Sequence, residues 1–517
     1  MRTIIFCAGL WCGAAVAGLG AATDGIWTGN AGNGIWSATN NWLNGSVPAE
    51  GGKVYFKASG PNLSVDVANL MLGGIYLGTA NVYFNGNTFQ LVNNPEVSTP
   101  ANELRFMQCV AGDQTALSKK GGSTLRVYQE LSGFSEVVLK GGITIAHTNA
   151  ATSFVRGALA FNNGSLSVEP LLAVPGGAMT LGGSEGAVVI RPGVNVMEIV
   201  TNAANPTVTV TLGTNVVRAS GGVLAFNTTG GRSRFGTTVK ILLPRDLAVN
   251  GMVPAYLSLY DNTATPRKTY TLLAYDAVNG LVPFTAFAGD FSGGATSVVR
   301  LANDAALATS AAVYALQLDS GATLTIGSGK TLKIGDDVNP AGVVLNNSDT
   351  KRATLTGGAI DFGASQGIVW SSDVKTGGDG TQIFSTIKGS NGVVFAGIRP
   401  ANNGAPAPLT LYSAGDYSGE THLAGGRVYV NHIACFGRSS DVYVWGDERG
   451  ALGSELLILT TGSMTNNLHL IGNGYDANNT GSLRFSANAT ILGTIELMGP
   501  TTIRCVANET GLRTLPI

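Results

Sequence analysis

Charged side chains are scarce in this chain: they make up 12% of its 517 residues, about half the usual share. Lysine plus arginine number 31 and aspartate plus glutamate 32, for a formal charge of −1. There is no basic stripe of the kind phosphate backbones require and no acidic tail, which argues against nucleic acid as a partner. Cysteine is equally sparse. Cys7 and Cys12 fall in the N-terminal apolar run, leaving Cys109, Cys435 and Cys505, an odd set, widely spaced and without a CxxC pair. That argues against a disulfide framework. Buried thiols acting as small apolar side chains are expected, with one pairing among the three as the alternative. The four histidines, His147, His422, His432 and His469, show no metal-ligand spacing to one another or to a cysteine. No metal or other cofactor is expected from them. Beyond the first 22 residues no apolar run is long enough to cross a bilayer as a helix.

What the chain has in excess is glycine, 72 residues or about 14%, roughly twice normal usage, alongside 44% apolar residues. Glycine-rich disordered chains lack the apolar share, so this one can bury surface. Short half-buried strands joined by frequent turns explain both numbers. Arg2, an uncharged apolar run over residues 4–19, and the small-residue sites Ala15-Val16-Ala17 and Gly20-Ala21-Ala22 read as a signal peptide over residues 1–22, with cleavage after Ala22. A transmembrane anchor is the alternative, but the run is short for one. A secreted or cell-surface location follows.

Residues 23–95 open with Trp27, Trp36 and Trp42, each near a turn residue. The first rung of a stacked array has no neighbour on one side, and large aromatics can lid it; the alternative is a sugar-stacking platform. Through residues 96–241, apolar-alternating runs recur between glycine or asparagine corners. Gly157-Ala158-Leu159-Ala160-Phe161-Asn162 is echoed by Gly222-Val223-Leu224-Ala225-Phe226-Asn227, without a fixed period. Residues 242–291 break the rhythm with Pro244, Pro254, Pro266 and Pro283 and read as a small β insertion on the flank. Over residues 292–517 the alternation resumes. Its sharpest unit is Asp416-Tyr417-Ser418-Gly419-Glu420-Thr421-His422-Leu423-Ala424-Gly425-Gly426-Arg427-Val428-Tyr429-Val430, two strands joined at a Gly-Gly corner.

That unit resembles the autotransporter-associated β-strand repeat of bacterial surface proteins, with Glu420, His422 and Arg427 departing from the usual residues. The match is dense over residues 311–505 and moderate over 23–56. The resemblance implies an all-β chain folded as a right-handed parallel β-helix (β-solenoid) with irregular loops. At 20–25 residues per coil, about 20 coils would stack into one rod of roughly 100 Å. No cap signal is seen over residues 510–517 and no translocator barrel pattern follows, so a C-terminal truncation is one expectation.

Carboxylates are few. Asp336-Asp337 and Asp447-Glu448-Arg449 sit at turns, and Tyr443-Val444-Trp445-Gly446-Asp447-Glu448-Arg449 is the best acid cluster, its plainer reading being a solvated turn. Gly377-Gly378-Asp379-Gly380 occurs once, without the tandem copies of a calcium repeat. Gly329-Lys330-Thr331 lacks a phosphate loop's first glycine, and Gly182-Gly183-Ser184-Glu185-Gly186 lies between strands rather than before a helix. No catalytic, cofactor-binding or metal residue is assigned. The expectation is a secreted or surface-displayed structural β-solenoid, passenger- or adhesin-like, not an enzyme, meeting surface glycans or other proteins. The alternative is a β-helix polysaccharide hydrolase or lyase.

Overall fold

The computed structural model describes residues 22–505, apart from the stretches 58–59, 79–80, 108–109, 149–152, 171–176, 184–185, 203–205, 229–233, 262–268, 349, 373–379, 399–407, 447–452 and 476–479. Residues 1–21 of the expected signal peptide, Cys109 and residues 506–517 lie outside the described residues.

The alternation of apolar and polar positions sends every second side chain inward, and the corners between strands need the left-handed backbone that glycine and asparagine tolerate. Gly425 and Gly426 (φ 81° and 75°) turn one such corner, and Asn93, Asn94 and Asn163 (φ 63°, 53° and 57°) turn others. The result is an all-β parallel β-helix. Among the described residues there is no α-helix, and none long and apolar enough to cross a membrane.

The chain winds two arms. In the N-terminal arm, nine strands from Gly25–Trp27 to Val216–Arg218 stack in one sheet, and a second sheet runs from Gly60–Val65 to Leu257–Asp261. In the C-terminal arm, nine strands from Val298–Leu301 to Ile495–Thr501 form one sheet, and another runs from Ala305–Leu307 to Ile503–Cys505. Successive coils hydrogen-bond in parallel, so like residues stack. One inward column reads Leu324, Leu355, Ile383, Leu411, Val430, Ile458, Phe485 and Cys505. Cys435 is buried as expected of a small apolar side chain, whereas Cys505, in the last described strand, is exposed; both are free thiols.

At the start of the N-terminal arm Trp27, Trp36 and Trp42 are 1%, 0% and 3% exposed, so they are a lid and not a platform. Trp42 packs edge-on against Trp27 (5.0 Å) and Trp36 (4.7 Å) and donates from Nε1 to the Trp36 carbonyl at 2.7 Å.

The expected single rod is instead folded in two. The proline-rich segment is the turnaround. Thr269–Thr271 pairs antiparallel with Leu257–Asp261, and the hairpin Leu273–Asp276/Gly280–Pro283 follows. From there contacts between the arms run in opposite sequence directions. Tyr270 meets Asn346, Ala255 meets Trp370, Gly221 meets His422, and Gly193 meets Trp445. The arms therefore lie side by side and antiparallel. The nine coils described in each arm, at about 4.8 Å apiece, rise roughly 40 Å.

Candidate functional site

The site grows out of two outward columns of the C-terminal arm. One reads Ala315, Gly342, Ile368, Val394, His422, Tyr443, His469, Glu496. The other reads Gln317, Val344, Trp370, Ala396, Ala424, Trp445. Near the turnaround, Gln317 apart, both are apolar, and Val344, Ile368, Trp370, Val394, Ala396 and Ala424 join the core of the N-terminal arm. Burying both faces of these strands is why Val393-Val394-Phe395-Ala396 is apolar at every position. The seam is close-fitting. A Cβ on Gly221 would overlap the His422 ring, and one on Gly425 would strike Val194. The Gly-Gly corner thus turns the chain and also lets the arms meet.

Farther from the turnaround the columns become aromatic and polar. His422, Tyr443 and His469 stack nearly parallel, with centroids 5.0 and 4.4 Å apart. Trp445 lies parallel to Tyr443 at 5.6 Å. Trp445 Nε1 donates to His422 Nδ1 at 3.1 Å, which puts the imidazole proton on Nε2, facing Glu420 Oε2 at 3.0 Å. Burial pushes His422 down to about 4, against the opposing pull of Glu420. Burial also pushes His469 down, but hydrogen bonds and charge from Asp441 (2.8 Å) and Glu496 (2.6 Å) outweigh it, and its pKa lies above the ordinary value. One ring stack thus holds a histidine that resists protonation and one that favours it.

Beside this stack the arms part into a cleft of about 240 Å³. Trp445, Gly446, Ile471 and Met498 form one wall; Lys120, Lys140, Asn162 and Asn163, with the corner glycines Gly121 and Gly141, form the other. The second wall is a stack of corners in which Lys140 and Asn162 are in register. Behind it lies Lys119, fully buried, whose ammonium donates to the carbonyls of Gly121 (3.0 Å), Ser123 (2.8 Å) and Gly141 (2.8 Å). Sequence reading missed this lysine. The only hint was a lysine at an inward position of the strand Ala116–Lys120.

The sequence-flagged positions fare unevenly. Tyr443 and Trp445 enter the ring stack, while Asp447, Glu448 and Arg449 lie outside the described residues. Asp336 caps its turn through the amides of Val338 (3.0 Å) and Asn339 (2.7 Å), and Asp337 bonds Lys333 and the amide of Ala364. Gly329-Lys330-Thr331 is part of the strand Thr323–Ile334, at an irregularity between Ile326 and Thr331, so it cradles no phosphate. Ser184 and Glu185 lie outside the described residues, as do Gly377, Gly378 and Asp379. His432 sits on a corner, its Nδ1 accepting from the Ala434 amide. Among the described residues no cluster of three or more His, Cys, Asp or Glu side chains is arranged to hold a metal ion.

Other carboxylates serve neighbouring coils. Arg126 joins Glu103 (2.7 Å) and Glu169 (3.0 Å), and Arg427 and Arg484 join the fully buried Glu455 (3.2 and 3.3 Å). Burial pushes the Glu455 carboxyl up, against the two guanidinium groups. No protein-family model, curated protein or solved structure matches the chain.

Proposed function

We propose that this chain is an exported structural β-solenoid, passenger- or adhesin-like, that binds at the cell exterior and performs no catalysis. The carrying observation is the chemistry of the inter-arm cleft. Among the described residues its walls offer an indole, aliphatic side chains, amides and lysines, and no carboxylate pair for acid–base cleavage. The leader-like residues 1–22 and the resemblance of residues 416–430 to the autotransporter-associated repeat support export and display.

A second reading, a β-helix polysaccharide hydrolase or lyase, draws on one cluster: Tyr443 stacked on His469, which is held by Asp441 and Glu496. Incubating purified protein with pectin, alginate and mannan separates the two. The expected outcome is no release of reducing ends, together with a mature N-terminus at Thr23 when the full chain is expressed with an export pathway. Turnover that disappears in Tyr443→Phe would establish the enzyme instead.

A further inference from the structure

We propose that the inter-arm cleft is a saccharide site selective for an acidic sugar, with the ring on Trp445, hydroxyls on the Asn163 amide and the carboxylate at Lys140. The assignment rests on the reading of an exterior-facing binder and names what it binds.

Three observations converge. Asn163 is 5% exposed, yet among the described residues neither its amide nitrogen nor its amide oxygen has a hydrogen-bond partner. Such a buried, unsatisfied amide is disfavoured by about 1–3 kcal/mol, and a ligand able both to donate and to accept relieves it. Neighbouring hydroxyls on a sugar ring do this, one donating to Oδ1 and the other accepting from Nδ2. Asn163 and Trp445 line the same cleft from opposite walls, and the Asn163 amide packs against Gly193 at its edge.

Trp445 supplies the platform. Its polar edge is spent on His422, and Tyr443 fixes its plane, leaving apolar ring surface to the cleft beside Ile471 and Met498. Aromatic faces suit the C–H face of a sugar, while the hydroxyls at the ring edge reach polar side chains.

Charge sets the class. Lys120 is held by Glu96 at 2.8 Å, whereas Lys140 is exposed and has no ion partner among the described residues. An ammonium at the rim with no ion partner among the described residues, beside an unsatisfied amide, favours a carboxylate-bearing sugar over a neutral one. The wall is set in advance. Lys119 ties the corners together behind it, and the Gly141 amide donates to the Asn163 carbonyl at 3.2 Å. Binding therefore orders little that is not already ordered. At about 240 Å³ the cleft lies just below the roughly 300 Å³ lower bound of small-ligand pockets, room for one sugar ring with the rest of a chain leaving along the open side.

Isothermal titration of the full mature chain with oligogalacturonate and with a cello-oligosaccharide of equal length tests this. The expected result is at least tenfold tighter binding of oligogalacturonate. Trp445→Ala should weaken it tenfold or more. Lys140→Gln should bring the acidic and neutral ligands to within threefold of each other. Asn163→Gly keeps the left-handed corner and removes the amide, so it should weaken both ligands fivefold or more without loss of thermal stability. Equal binding of the two ligands, no binding of either, or affinity unchanged in Asn163→Gly and Lys140→Gln overturns the assignment. Reducing-end release and leader cleavage are read on the same preparations, so failure of the cleft and failure of the exported scaffold remain distinguishable.

Discussion

The two ends of the seam between the arms are built from the same outward columns and yet differ in kind. Near the turnaround the columns present Val344, Ile368, Trp370, Val394 and Ala396, and these side chains join the core of the N-terminal arm. At the far end they present Tyr443, Trp445, His469 and Glu496, and the arms part into a cleft. Pairing is parallel at both ends, but between Leu470 and Gly472 the register shifts beside the cleft, so side-chain identity and this irregularity together decide where the arms seal. In a solenoid the inward columns set the coil, and the outward columns are left to choose what the coil lies against.

The largest test of this contrast is Trp370→Ala. Trp370 is fully buried, donates to the Ala255 carbonyl at 2.8 Å and packs 4.9 Å from Tyr270. Removing it should cost about 3–5 kcal/mol, from the cavity and the orphaned carbonyl. Trp445→Ala, at the far end, removes a half-buried ring and should cost only about 1 kcal/mol. Urea unfolding of the two variants checks the ordering. Equal losses would mean that both ends of the seam carry the same load.

Gly221→Ala probes the boundary between the ends. Gly221 sits at φ 76°, and a side chain there would meet the His422 ring. The left-handed backbone alone disfavours an L-residue by roughly 1–2 kcal/mol, and the overlap adds to it, so a loss of about 2–3 kcal/mol is expected. Because His422 holds Trp445 Nε1, the fluorescence of Trp445 should shift as well. A loss of stability with no spectral change would show that the ring stack does not depend on the seam.

Much of the coil was legible in the sequence, and little of the seam. Thr421, Leu423, Val428 and Val430 point inward as their alternation requires, and the paired glycines between them turn the corner. The tryptophan lid follows from the same reasoning, since an end rung needs cover. Alternation, however, marks only which residues share a face and not what the outer face touches. The usable signal for the seam was the loss of alternation in Val393-Val394-Phe395-Ala396 and in Gly367-Ile368-Val369-Trp370, which marks strands covered on both sides. The proline-rich segment read as a flank insertion because nothing local says that the chain reverses there. The cleft was beyond reach. Asn163 and Trp445 are far apart in sequence and meet only because two arms fold back, and the corner asparagine looks like any other left-handed turn residue.

The smallest expected effect separates the two histidines of the ring stack by sign. His422 has a folded pKa of about 4, below its unfolded value of about 6.5, so the unfolded chain takes up the proton first. Its contribution to stability is full above pH 6.5 and shrinks as pH falls toward 4, by roughly 1 kcal/mol between pH 7.5 and 5.5. His469 has a raised folded pKa, so its contribution is full below the unfolded value and is lost as pH rises through the folded one. It lies near the surface, and solvent screening limits the effect to a few tenths of a kcal/mol. Urea midpoints at pH 7.5 and 5.5 should therefore differ less in His422→Gln than in the native chain, and slightly more, in the native sense of lower stability at pH 5.5, in His469→Gln. If both substitutions changed the pH response in the same direction, the two ends of the stack would share one environment, and the division between sealed seam and open cleft would not run between Gly221 and Trp445.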